Sequence, residues 1–117
     1  MIGGSGFLGR RITRQAQQAG HRVTATAHRC VPPDGGADWH VVDIRRRADI
    51  TALARRVRPD AIVNVAYRQS DWATTADGAA HVALAAAAAG ARLVHVSSDA
   101  VFSGAASSYD RRGGPTR

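Results

Sequence analysis

Gly3-Gly4-Ser5-Gly6-Phe7-Leu8-Gly9 decides the reading of this 117-residue chain. The stretch satisfies G-x-G-x-x-G from Gly4 and the wider G-x-x-G-x-x-G from Gly3. An apolar helical run follows (Leu8, Ile12, Ala16, Ala19), stops at Gly20, and gives way to a β-branched run. In that setting glycines allow a tight turn and let backbone amides approach a diphosphate at a helix N-terminus. Gly3, Ser5, Gly6, Phe7, Leu8 and Gly9 are therefore the first candidates for holding a nucleotide cofactor. A strand of about five apolar residues normally leads into such a loop. Only Met1 and Ile2 precede Gly3, so the first strand is expected to lie upstream or to be missing.

Outward from the loop, helices and strands alternate. The spacing predicts a helix over 7–19 and a strand over Arg22–Ala27, where β-branched residues alternate with small ones. Cys30 to Asp38 reads as a loop, rich in Pro and Gly, and Trp39–Val42 as a short strand ending at Asp43. Asp49 is expected to cap a helix whose apolar face is Ile50, Leu53, Ala54 and Val57. Pro59-Asp60 turns the chain into a strand over Ala61–Ala66. A helix over Ala76–Ala89 closes at Gly90, and a last strand covers Arg92–Ser97. Such alternation argues for a parallel sheet covered by helices, with ligands beyond the carboxyl ends of its strands. Residues 1–104 form one partial cofactor-binding domain in this reading, and 105–117 a loop or disordered tail.

Composition mainly excludes. The net charge is +7 and the pI about 11.4, values that superficially favour nucleic acid. All 16 basic residues are Arg and all nine acidic ones are Asp, a bias expected of GC-rich codons. Arg45-Arg46-Arg47, the densest basic cluster, has no interleaved aromatics for base stacking, so no nucleic-acid partner is expected. Arg11, Arg14, Arg55, Arg56 and Arg58 read as solvated helix faces. No apolar run approaches a membrane span, and no signal-peptide pattern opens the chain. One cysteine, Cys30, makes no internal disulfide, which fits a reducing cytoplasm. The five histidines and Cys30 show no metal-ligand spacing, so no metal site is expected.

Each strand end offers a candidate. In dinucleotide sites an acidic residue about 20 positions past the glycines bonds the adenosine ribose and favours NAD. Thr26-Ala27-His28-Arg29 fills that window here, and no acid appears before Asp34. Arg29, helped by His28 or Arg10, is placed to pair with a 2′-phosphate, so NADP is favoured over NAD. Asp43-Ile44 offers a carboxylate for an adenine amino group, with simple turn capping as the alternative. Ala66 and Tyr67 stand where a cofactor passes close to the backbone, although Ala66 also fits plain packing. Ser97 and Ser98 place two hydroxyls at the end of the last strand, suited to bonding a reacting carbonyl.

Taken together, the motifs resemble a family. The glycine motif, Asp43-Ile44, Val63-Asn64-Val65-Ala66-Tyr67 and Ser97-Ser98-Asp99-Ala100-Val101-Phe102-Ser103-Gly104 follow the order seen in extended short-chain dehydrogenases/reductases. The run from Ser97 is similar to the S-T-D-Y-V-F-x-G motif of the dTDP-4-dehydrorhamnose reductase branch, a group of sugar-nucleotide-binding, epimerase/dehydratase-like proteins. The resemblance implies a Rossmann-type doubly wound parallel sheet, truncated at both ends in this chain. It further implies hydride transfer between a nicotinamide and a sugar carbon, with a nucleotide sugar as the full-length relative's substrate. Ser98 matches the hydroxyl that orients the carbonyl, and Asp99 an acid found beside it in the reductase branch. The Tyr and Lys of the family's Y-x-x-x-K helix have no counterpart, since the chain has only Tyr67 and Tyr109 and no lysine. The chain alone is therefore expected to be inactive.

Two departures from the family pattern bear on this expectation. The motif at Asn64–Tyr67 is one residue shorter than N-x-A-A-Y, and Thr74 or Thr75 stands where an asparagine often opens the next helix. After Tyr109-Asp110 the tail turns to Arg, Gly and Pro, the residues expected of a frameshift in GC-rich codons, with a natural loop cut at a sequence boundary as the alternative. Three readings stay open: a truncated reductase half, a non-catalytic nucleotide-sensing or partner-binding module, and an unfolded product with unpaired strand edges.

Overall fold

The computed structural model describes residues 1–32, 36–67, 71 and 73–97. Ser98, Asp99 and the 105–117 tail therefore lie outside the described residues. In chain order the elements are α1 (Phe7–Gln18), β1 (Thr24–Ala27), β2 (Asp38–Val41), α2 (Arg47–Val57), β3 (Ala61–Asn64), a π-helical turn at Ala73–Asp77, α3 (Gly78–Ala89) and β4 (Arg92–His95). Strands pair in parallel in two sets, β1 with β2 from Thr24↔Asp38 and β3 with β4 from Ala61↔Arg92.

The segment Met1–Gly4 joins the two pairs. Ile2 N donates to Val63 O at 2.8 Å and Val65 N to Ile2 O at 2.9 Å, a parallel bridge between Ile2 and Asn64. On its other side Thr26 N donates to Met1 O and Gly4 N to Thr26 O, both at 2.9 Å. These few residues thus hold the central place between β1 and β3, in the spatial order β2, β1, Met1–Gly4, β3, β4. The inner edges of β1 and β3 are bonded through them, so unpaired edges do not arise there.

Below the sheet, α2 and α3 supply the core. Ile50 and Ala54 of α2 and Val82, Ala85 and Ala86 of α3 cluster with Ile2, Ile44 and Ile62. Alanines on α3 let its backbone come close to α2 and the strands, and Val82 is fully buried. Gly90 ends α3 in the left-handed region at φ 67°, where glycine escapes the Cβ penalty.

Several boundaries differ from the sequence reading. α2 starts at Arg47, so Asp49 lies in the first turn and favours the helix dipole there without capping it. A π turn carries the third helical segment back to Ala73, ahead of the expected Ala76. α1 is rotated from the expected stripe: Gly9 and Thr13 are buried, whereas Leu8 and Ala19 are exposed. The cause is close backbone contact at Gly9. β4 is exposed along its length, including Leu93, Val94 and the following Val96, although a parallel strand usually reads as buried. It is the outer strand, and among the described residues nothing pairs with its far edge.

The packing of α1 tests directly. A Cβ on Gly9 would lie 2.2 Å from Gly3 O and 2.8 Å from Gly4 Cα, both backbone atoms that cannot step aside. Gly9→Ala is expected to lower unfolding free energy by about 3 kcal/mol or more, read as a fall in thermal midpoint. Gly20→Ala meets no atom within 4 Å and pays only for its φ of 90°, so it is expected to lose about 1 kcal/mol.

Candidate functional site

A cleft of about 380 Å³ opens at the carboxyl ends of the strands. One wall is the glycine loop, represented by Gly3, Ser5 and Gly6. The others are Thr26 near the end of β1 and the segments that leave β1 (His28, Arg29, Cys30), β2 (Val42, Asp43, Ile44) and β3 (Val65, Ala66, Tyr67). A crevice outside the strand ends, where neighbouring connections diverge, is the usual ligand position in an open α/β sheet.

The loop is shaped by backbone contact. Gly3 has φ 80°, and a Cβ there would lie 2.7 Å from Ala66 N. Its amide donates to the Thr26 hydroxyl at 3.1 Å, and Gly6 N donates back to Gly3 O at 3.2 Å. α1 then starts at Phe7 with Gly6 as N-cap, no side-chain cap and no acid in its first turn. An uncapped, acid-free helix start next to a glycine wall favours an anion. Phe7 and Leu8 sit in that first turn with exposed side chains outside the cleft lining, so what they bring to it is backbone. Gly9 is buried behind the loop, and Ser97 is exposed and outside the lining.

Asp43 carries the densest polar network. Its carboxylate accepts from Arg45 N at 3.0 Å, from Nε at 3.0 Å and from Nη2 at 2.7 Å. Arg45 also reaches Asp71 at 3.5 Å, and His28 Nε2 stands 3.6 Å from Asp43. The Arg45 hydrogen bonds hold the Asp43 carboxyl well below the usual carboxylate range, with a smaller push from His28. Asp43 is therefore a turn-capping residue in this structure, while its cleft-lining position keeps the adenine reading open. Ile44 beside it is buried, and its carbonyl accepts from His81 Nδ1 at 2.8 Å. A carbonyl only accepts, so the Nδ1 of His81 carries the proton.

Sequence reasoning passed over the Thr26 hydroxyl, the lining residues Cys30, Val42 and Val65, and the buried Asn64. Asn64 Oδ1 accepts from Ala66 N at 3.1 Å and so sets the turn that leaves β3. Thr26 was findable as the hydroxyl nearest the carboxyl end of its strand; the Asn64 contact was not, because it depends on the turn that follows. Among the described residues no group of His, Cys or Asp side chains has the arrangement of a metal site.

A parallel sheet with a glycine loop at its centre and a cleft beyond its strand ends defines a Rossmann-type α/β domain. The family model described as RmlD substrate binding domain matches residues 1–115, and the chain belongs to that family. It is 32% identical over 116 aligned positions to a dTDP-4-dehydrorhamnose reductase of Mycobacterium tuberculosis, covering 89% of this chain and 33% of the relative. The chain thus spans about a third of the length of that curated relative. Among solved structures, a hypothetical dTDP-4-dehydrorhamnose reductase from Sulfolobus tokodaii superposes with TM-score 0.83 at 22% identity, over 98% of this chain and 44% of that one. The Bordetella bronchiseptica enzyme WbmG, solved in complex with NAD and UDP, gives 0.71 at 24% identity, over 80% of this chain and 35% of that one. These two establish the shared fold.

The Asp43–Arg45 pair has a defined pH signature. Folding lowers the carboxyl pKa, so the pair's stabilisation is complete above the ordinary carboxylate range. It is lost as the pH falls from there through the folded-state value. Arg45→Leu is expected to raise the Asp43 carboxyl titration midpoint, followed by side-chain ¹³C NMR, toward the ordinary 3.8. Because Arg45 is exposed to solvent, which screens the pair, the variant is expected to lose little stability at neutral pH. That deficit should shrink in acid.

Proposed function

We propose that this chain is the cofactor-binding part of a sugar-nucleotide oxidoreductase of the dTDP-4-dehydrorhamnose reductase type, with NADP preferred over NAD. The observation that carries this reading is the cleft itself. It gathers Gly3, Ser5, Gly6, Arg29, Asp43, Ile44, Ala66 and Tyr67 from four separate parts of the chain. The residues fit a dinucleotide. Gly3 and Gly9 have no room for a side chain, so backbone amides can reach a diphosphate, and α1 offers it an uncapped N-terminus.

Arg29 and His28 line the end of β1, where NAD-selective sites carry an acid. A guanidinium there matches a 2′-phosphate in charge and shape. Asp43, its charge already met by Arg45, adds little repulsion. The bound nicotinamide would supply a hydride to a sugar carbon. By resemblance, Ser98 and Asp99 are assigned to the carbonyl side of that reaction, and Ser97 to the cofactor side.

No lysine occurs in the chain, so the Tyr–Lys acid of the family is not contributed by these residues. Binding without turnover is accordingly the activity proposed for the isolated chain, as part of a reductase or as a self-standing nucleotide-sensing module. Among the described residues no helix is long and apolar enough to cross a membrane. We place the protein in the cytoplasm, with a nucleotide sugar as partner and no nucleic acid.

Isothermal titration with NADPH and NADH tests the reading. NADPH is expected to bind about tenfold more tightly, and Arg29→Ala to erase that difference while sparing NADH. Absence of binding by either dinucleotide overturns the cofactor assignment; a preference that survives Arg29→Ala overturns the role of Arg29.

A further inference from the structure

One polar chain runs from the exposed outer strand into the cleft. His95 on β4 stands opposite Asn64 on β3, and their side chains meet with His95 Nδ1 3.3 Å from Asn64 Nδ2. Asn64 is 1% exposed, while His95 is exposed. Beyond Asn64, its Oδ1 accepts from Ala66 N at 3.1 Å. Ala66 lines the cleft, and its nitrogen is the atom that a Cβ on Gly3 would strike first.

The protonation state of His95 follows from the far end of this chain. Ala66 N–H can only donate, so the Asn64 oxygen must face it, and the Asn64 amide hydrogens must face His95. His95 Nδ1 can meet them only as an acceptor, which requires an imidazole with its proton on Nε2. A second proton turns Nδ1 into a donor facing a donor. If Asn64 then rotates its oxygen toward His95, it presents hydrogens to Ala66 N–H, and Ala66 loses its acceptor. If the ring swings away instead, buried amide hydrogens on Asn64 are left unpaired.

Other charges do not obscure this logic among the described residues. β3 carries no titratable side chain, and α3 carries only His81, which is engaged by the Ile44 carbonyl. On β4 itself the one permanent charge is Arg92, at the far end of the strand.

We propose that His95 is a protonation-gated clamp on the cleft and Asn64 its positioning residue. With a neutral His95 the Ala66 amide is fixed against Gly3; with a charged one the wall is released and dinucleotide affinity falls. The affinity part rests on the cofactor reading above, whereas the clamp itself does not.

The test follows the Ala66 amide by ¹⁵N–¹H NMR, with dinucleotide titrations alongside, as the pH is taken from about 8 to about 5.5, the span in which histidine charge changes. In the wild-type chain the Ala66 resonance is expected to shift together with the His95 ring nitrogens. NADPH affinity is expected to fall about tenfold, the effect of losing one buried hydrogen bond. His95→Leu, which offers Asn64 neither donor nor acceptor, should abolish the pH response that position 95 imposes on the Ala66 resonance. His95→Gln, which keeps an acceptor and does not titrate, should hold the high-pH resonance and the high-pH affinity across the range. Any protonation of His28 in the cleft is common to all three chains and cancels in the comparison. An Ala66 resonance that ignores His95 protonation, or that titrates in His95→Leu just as it does in the wild-type chain, overturns the clamp. If no dinucleotide binds at the upper pH, the cofactor reading fails, and the Ala66 resonance still decides the clamp.

Discussion

Everything in the site depends on how closely α1 crosses the loop that precedes it. Gly9 lies against the carbonyl of Gly3 and the Cα of Gly4, with no space for even one methyl group. That contact fixes the rotation of α1, which is why Gly9 and Thr13 face inward and Leu8 does not. From the other side Ala66 presses on Gly3, whose φ of 80° no bulkier residue adopts without strain. The loop is thus held between a helix and a strand end. The Gly3, Gly4 and Gly6 amides are engaged within this frame, by Thr26 and by Gly3 itself, so the uncapped start of α1 is what offers free amides to a ligand.

Polar contacts finish what the backbone begins. Thr26 takes the Gly3 amide and Asn64 takes the Ala66 amide, so each wall next to the loop is pinned by a buried side chain. Asp43 is held in turn by Arg45, which leaves the carboxylate oriented and electrically compensated. The large formal charge of the chain plays little part in this. Arg11, Arg14, Arg55 and Arg56 are exposed on α1 and α2, while Arg29 is the basic side chain that lines the cleft.

Much of this was legible before any coordinates. The glycine spacing, the alternation of periodicities and the small or polar residues at strand ends together located the fold and most of the cleft wall. Local signals of this sort survive because each turn and helix stop is encoded by its own few residues. Features set by distant partners were not legible. The rotation of α1 answers to Gly3, the state of Asn64 to Ala66 and His95, and the exposure of β4 to what flanks it in space. Asp49 looked like a cap because it precedes an apolar run, yet the helix reaches back to Arg47 without a side-chain cap.

The central position of Met1–Gly4 also has a kinetic side. The pairs β1–β2 and β3–β4 each form through one local crossover, whereas the sheet becomes continuous only when Ile2 reaches Asn64 and Gly4 reaches Thr26. Closing long loops is entropically slow, and non-local parallel pairing delays folding more than helix formation does. During synthesis Ile2 therefore waits for its partner on β3, which leaves the ribosome well after it.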